Sequence, residues 1–314
     1  MLRQTWLGTA LIAASAVVFS TAGLFTRLID LDAWTMLFWR GLFGGLSVAG
    51  YVVWREGRGA PATLRAIGRD GLLVALCSAL ATVCFINALR LTSVADVLVI
   101  GATAPFLTAA MAWALLGERE DMTTLIASLM AVLGVVVMVG GVQEEGRLLG
   151  NLLALGMTGF LSLMMVILRK RRGIDMLPAT GLSAFVCAAI VLPFAHPAVA
   201  QGSTFALLVL FGAVQFGLGL ILMTLGSRPV SATRVALISV LDTPLAPLWV
   251  WLAFGDAPAI ATMAGGAIVM AAVVGDIAVR RRGPPIRPAA CNPQTACAAR
   301  SSGSCRWRRA GWRR

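Results

Sequence analysis

The chain contains a second, diverged copy of part of itself, and this limits its fold more than any other feature. Arg90, Ser93, Trp113, Gly117 and Glu118 recur as Arg228, Ser231, Trp251, Gly255 and Asp256, each 138 residues on. Between these positions both copies run apolar around a proline, Pro105 in one and Pro244 in the other. A weaker echo at an offset of 142 pairs Leu7-Gly8 with Leu149-Gly150, Ser20 with Ser162 and Arg27 with Arg169. Solenoid and propeller repeats run about 20–50 residues. A period this long suits a duplicated membrane domain instead.

Composition agrees. Hydrophobic residues make up 59% of the chain, charged residues only 13%, and mean hydropathy is +0.86, against about 25% charged in a soluble domain. Ten apolar stretches are long enough to cross a bilayer core of about 30 Å. They run approximately 6–25, 34–53, 71–89, 94–116, 123–142, 149–168, 177–194, 205–225, 235–254 and 260–279. The apolar N-terminus continues past Ala14-Ser15-Ala16, which argues against a cleaved secretory signal ending there. Arginines cluster at Arg55, Arg58, Arg65 and Arg69, at Arg169 to Arg172 around Lys170, and at Arg280 to Arg282. With the N-terminus cytoplasmic, all of these fall inside, and Arg27, Arg90 and Arg147 fall outside, as the positive-inside rule expects. The same bias accounts for most of the net charge of +12, so a nucleic-acid partner is not expected.

Five spans per copy is an odd number, so the second copy must lie upside down relative to the first. The expected fold is therefore all-α and integral to the membrane, with ten transmembrane helices arranged as two inverted five-helix repeats. Residues 1–142 form the first repeat, 143–282 the second, and 283–314 a disordered basic cytoplasmic tail. Both termini are expected to be cytoplasmic. Inverted repeats place a binding site near the midplane where the halves meet, and alternating access follows from their symmetry.

The segment Thr92-Ser93-Val94-Ala95-Asp96 through Ala104-Pro105-Phe106 to Leu116-Gly117-Glu118-Arg119 resembles the signature of the EamA family of the drug/metabolite transporter superfamily. Leu241-Asp242-Thr243-Pro244 through Trp249 to Phe254-Gly255-Asp256 is similar, as is Phe38-Trp39-Arg40 to the family's arginine-bearing helix. The likeness spans about residues 6–282. Asp242 and Asp256 stand where glutamate is commoner. The resemblance implies an inner-membrane carrier of small metabolites, amino acids or drugs, working mainly outward.

Arg40 lies about 9 Å into its span at 1.5 Å per residue, where an arginine needs a partner or a wet cavity. It could hold a substrate carboxylate or phosphate, or pair structurally with Asp96. Asp242 lies inside the ninth span just before Pro244. It could bind a substrate amine or a coupling proton, or pair with Arg234. Pro105, Pro244 and Pro247 each remove a backbone donor, which marks these helices as gating elements. Trp113 and Trp249, inside spans, could stack on a substrate or face lipid. Glu118 reads first as a solvated loop residue, with a salt-bridge gate as its second reading. Stripes such as Gly41/Gly45, Ala75/Ala79 and Gly212/Gly217/Gly219 allow close helix approach, within one chain or between two, so a monomer and a homodimer both fit.

No phosphate-binding loop is present, which makes transport secondary, driven by a proton gradient or by exchange. The lone His196 has no G-x-S-x-G elbow to serve, and no residue cluster suits a metal, so neither an enzyme nor a cofactor is expected. A lipid or polyprenyl-carrier translocator is the main alternative.

Overall fold

A chain in hydrocarbon must satisfy every backbone polar group internally, and a long apolar run does so as a helix. The computed structural model describes residues 2–59, 61, 63, 68–92, 94–139, 148–171, 173, 175–197, 202–255 and 258–282. Among them every regular element is helical, and ten helical stretches are long and apolar enough to cross a membrane. The tail after Arg282, Asp256 and the loop holding Arg147 lie outside the described residues.

Six spans are single helices: α3 (Ala33–Glu56), α4 (Gly68–Leu91), α7 (Met122–Val139), α8 (Leu148–Lys170), α9 (Leu177–Val191) and α14 (Ile260–Arg282). The other four are interrupted. The first is α1 (Leu2–Ser20) and α2 (Ala22–Leu28), the fourth α5 (Val94–Ala102) and α6 (Ala104–Leu116), and the ninth α12 (Ala232–Ser239) and α13 (Asp242–Phe254). The eighth joins α10 (Gly202–Leu210) to α11 (Gly219–Ser227) through a π-helical segment, Phe211–Leu218.

The expected proline kinks are full breaks. Pro105 opens α6, and Pro244 is the third residue of α13. A proline costs least in a first helical turn, where its missing N–H had no partner anyway. Three-residue bonds bridge the ninth-span break: Val240 N–H to the Leu237 carbonyl (3.2 Å), Leu241 to Ile238 (3.1 Å) and Thr243 to Val240 (3.1 Å). At the fourth-span break Thr103 N–H donates to Ile100 (3.1 Å) and Phe106 to Thr103 (3.0 Å). Of the three expected kinks, Pro247 alone lies past the first turn of its helix.

Spans three and six pack together, as do one and eight; two packs on seven and eight, three on seven, and five on ten. The weak 142-residue echo has a packing reason. A Cβ on Gly8 would strike Pro229, and one on Gly150 would strike Leu91 and Thr92. Each glycine thus admits the loop of the other half that precedes a broken span. Those broken spans also end alike. Gly117 (φ 68°) and Gly255 (φ 76°) close α6 and α13 in the left-handed region, their N–H groups bonded to the Trp113 carbonyl (3.0 Å) and the Trp251 carbonyl (2.8 Å). Only glycine takes that conformation without cost.

Two consequences are measurable. Gly265 packs so tightly on Gly134 and Met138 that an added Cβ forces backbone apart. Gly265→Val should cost about 1–3 kcal/mol by overpacking and lower the thermal midpoint in detergent, whereas Gly50→Ala, with open space around it, should hold or raise it. The Asp32 carboxylate caps α3 by accepting the Thr35 N–H (2.9 Å). Partial burial pushes its carboxyl up, but the Thr35 bonds and the charge of His196 outweigh this and hold it below its ordinary value. A lowered pKa gives stability that is full above the unfolded value and lost as pH falls through the folded one. Wild type should therefore lose stability relative to Asp32→Asn when midpoints are compared from pH 6 to below about 4.

Candidate functional site

Arg40 sits in the second turn of α3, where Gly41, Gly44 and Gly45 bare the backbone on both sides. Gly41 and Gly45 admit α9, against Ala184 and Phe185, and Gly44 admits the π segment at Gly212 and Phe216. From the other side, a Cβ on Gly212 would meet Phe43 at 2.5 Å and the carbonyls of Trp39 and Arg40 at 3.1 Å. This close approach brings the eighth span onto the arginine.

The π geometry decides what meets it. Phe211 and Phe216, at the start and in the second half of the π segment, both reach Arg40. The guanidinium carbon lies 4.2 Å from the Phe216 ring centroid and 5.4 Å from that of Phe211. Gln215, 1% exposed, accepts the Arg40 Nε–H at 3.1 Å and donates its own amide to the Phe19 carbonyl at 3.0 Å. Phe19 is in the last turn of α1, where carbonyls run short of helical partners. The next residue, Ser20, accepts the Trp249 indole N–H at 2.8 Å. The broken end of α1 thus joins two residues singled out in the sequence, Arg40 on α3 and Trp249 on α13. No acid pairs with Arg40 among the described residues, and Asp96 accepts from Thr92 (2.9 Å).

Asp242 begins α13 at the ninth-span break, half-buried. Its carboxylate accepts the Thr243 hydroxyl at 3.2 Å and forms no ion pair among the described residues. The alternative pairing with Arg234 is ruled out by a competitor that the sequence reading passed over. Asp276 of α14 takes Arg234 Nε at 2.9 Å and the Thr124 hydroxyl at 2.8 Å, all three side chains buried. Arg40 and Asp242 share no described contact.

Trp113 lies apart from this group. It is 60% exposed in the last turn of α6, where Ala114 and Leu115 are exposed too, so the turn projects from the bundle. That placement suits an indole facing lipid or an interface, in place of the expected substrate contact. Glu118 is more than a solvated loop residue: it pairs with Arg169 at 3.2 Å. Of the three prolines expected to mark gating elements, Pro244 and Pro247 line a cleft of about 230 Å³ with Trp251, Met263 and Met270, between α13 and α14. Pro105 is buried at the start of α6.

Residues 6–140 match the profile of the EamA-like transporter family, within the drug/metabolite transporter superfamily. Over those residues, less than half of the chain, it is similar to that family, and ten apolar helices among the described residues mark a multi-pass membrane protein. The match covers the first five spans, including Arg40, Pro105 and Trp113. No curated protein matches the chain. One solved structure, described as "Crystal structure of protein", superposes with a TM-score of 0.74 over 88% of this chain and 99% of its own, at 20% identity. At that identity the likeness speaks for the fold alone.

The buried Arg234–Asp276 pair should behave as such pairs do in a low-dielectric interior. Asp276→Asn strands a charge and should cost about 3–5 kcal/mol, whereas the double change Arg234→Met, Asp276→Leu should come close to wild type. Thermal midpoints of purified protein decide this; a double variant as weak as the single one would show that the pair is needed for itself.

Proposed function

We propose that this chain belongs to the EamA family and is a secondary carrier that moves a small metabolite, amino acid or drug-like solute outward across the inner membrane by alternating access. The observation that carries the reading is Arg40, a full charge set inside a span on neutral partners only: one amide oxygen and two aromatic faces. Such a charge is costly without a partner or water, and a carboxylate or phosphate on the solute supplies one. The bidentate fork favours that match, while Phe211, Phe216 and Trp249 offer apolar and stacking surface beside it. Asp242, also unpaired and at a break in its helix, takes the coupling proton or a cationic group of the solute.

Support for two inverted five-helix repeats comes from the paired helix breaks, the matching left-handed caps and the glycine contacts that exchange between halves. The basic end is assigned to the cytoplasm on the positive-inside rule.

A second reading, lipid or polyprenyl-carrier translocation, draws on the apolar cleft between α13 and α14, which is lined by Pro244, Leu245, Leu248 and Met270.

Flux of a labelled solute panel in proteoliposomes tests the carrier reading, with a fluorescent-lipid scrambling assay on the same vesicles. Hydrogen bonds to charged groups are worth about 1.5–3 kcal/mol. Arg40→Ala should therefore lower kcat/KM for an anionic or zwitterionic solute roughly 10–100-fold, with Arg40→Lys between it and wild type. Asp242→Asn should abolish the response of flux to a pH gradient. Scrambling without solute flux would move the conclusion to the lipid reading.

A further inference from the structure

At the basic end of the bundle the two halves are tied together by charge. Asp175, between α8 and α9, takes Arg55 of α3 at 2.5 Å and Arg228 of the eighth-to-ninth-span connection at 2.6 Å. It also accepts the Leu177 N–H at 3.0 Å, which fixes the carboxylate in place. Glu118, just past α6, holds Arg169 of α8 at 3.2 Å, and Arg169 donates onward to the Arg228 carbonyl at 3.4 Å. Arg171 pairs with Asp70 of α4, and the Ser231 hydroxyl donates to Glu120 at 3.2 Å. Four of these ties, Arg55 to Asp175, Glu118 to Arg169, Asp70 to Arg171 and Glu120 to Ser231, run from residues before 140 to residues after 147. The described ties at the opposite end include neutral ones, His196 N–H to the Thr35 hydroxyl (2.8 Å) and Thr92 to Asn151 (2.7 Å).

Inward of the network, α6 and α12 pack against each other. Thr108 on α6 and Thr233 on α12 are fully buried, and neither hydroxyl has a hydrogen-bond partner among the described residues. A threonine in a helix ordinarily bonds back to its own turn, and buried hydroxyls left unpaired are rare. Two of them lie on half-helices that pack against each other beside one charged cluster.

We infer that this network is an ionic gate: it shuts the basic end in the present conformation, and its release opens the seam between α6 and α12 to water as far as Thr108 and Thr233. The inference rests on the alternating-access reading. Asp175 is its centre, since one carboxylate there holds arginines from both halves.

The test places Thr108→Cys or Thr233→Cys, each close to isosteric, in a full-length chain whose native cysteines are replaced by alanine. Labelling by a membrane-impermeant maleimide is timed from each face of sealed vesicles. With the gate intact, labelling from the basic side should be slow. Asp175→Asn combined with Glu118→Gln should speed it at least about tenfold, since each lost tie shifts the closed–open equilibrium. Exchanging charges in the Glu118→Arg, Arg169→Glu pair should keep it slow. Unchanged labelling in a monodisperse Asp175→Asn, Glu118→Gln protein overturns the gate. Should the buried cysteines not be tolerated, spin labels at the exposed Arg119 and Lys170 report the same event. A longer-distance population in the gate variants supports the gate, and an unchanged distribution rejects it. Neither readout needs a solute, so a protein that moves nothing in proteoliposomes defeats the carrier reading separately from this one.

Discussion

Hydrocarbon offers no partner to a free amide or carbonyl, and the architecture depends on how this chain meets that constraint where its helices stop. Three spans break and a fourth widens into a π turn, yet each interruption is closed by short-range bonds or by a polar side chain from a neighbouring span. Val240, Leu241 and Thr243 close the ninth-span break with three-residue bonds. The Phe19 carbonyl near the first-span break accepts from Gln215, and the Ser162 hydroxyl reaches the Ala104 carbonyl at the start of α6 (3.3 Å). Irregular backbone at membrane depth survives only when sheltered in this way. The candidate site gathers around these places because they are where polar atoms must be.

Charge is then distributed in three ways. Arg234 and Asp276 neutralise each other out of reach of water and fasten α12 to α14, so the inner half of the ninth span is anchored. The ion pairs of the basic end lie nearer the surface and can exchange with water at small cost. Arg40 and Asp242 have no counter-ion among the described residues. An anchored helix half, a set of exchangeable ties and two uncompensated charges are the parts from which a moving binding site can be assembled.

Much of this was legible in the sequence. Apolar length alone places ten spans, because a bilayer fixes the length of helix it can hold. The glycine stripes mark the contacts of α3 with α9 and the π segment, and the prolines mark two breaks, since a proline in mid-span leaves few alternatives. The cradle of Arg40 was not legible. A π turn leaves no signature in a run such as Phe211-Gly212-Ala213-Val214, and Gln215 shows only as an amide amid apolar neighbours, a weaker flag than a charge. Asp276 carried the same flag as Asp242, an acid in an apolar span. That it, and not Asp242, claims Arg234 follows from tertiary packing: α7 lies against both α12 and α14 and brings together residues 42 apart in sequence.

The π segment also breaks the pairing of the two halves. Its counterpart, the third span, is α-helical throughout Gly68–Leu91, and the repeat offset sets Cys77 against Gln215. Offsets of 138 to 142 likewise bring Arg40 to Pro178 through Leu182, which include no arginine. The cradle of Arg40 is therefore asymmetric: its amide and aromatic partners have no equivalents at the matching positions of the other half. A one-residue deletion in the eighth span would restore the likeness of the halves and turn the amide away from the guanidinium, without altering any residue that touches it.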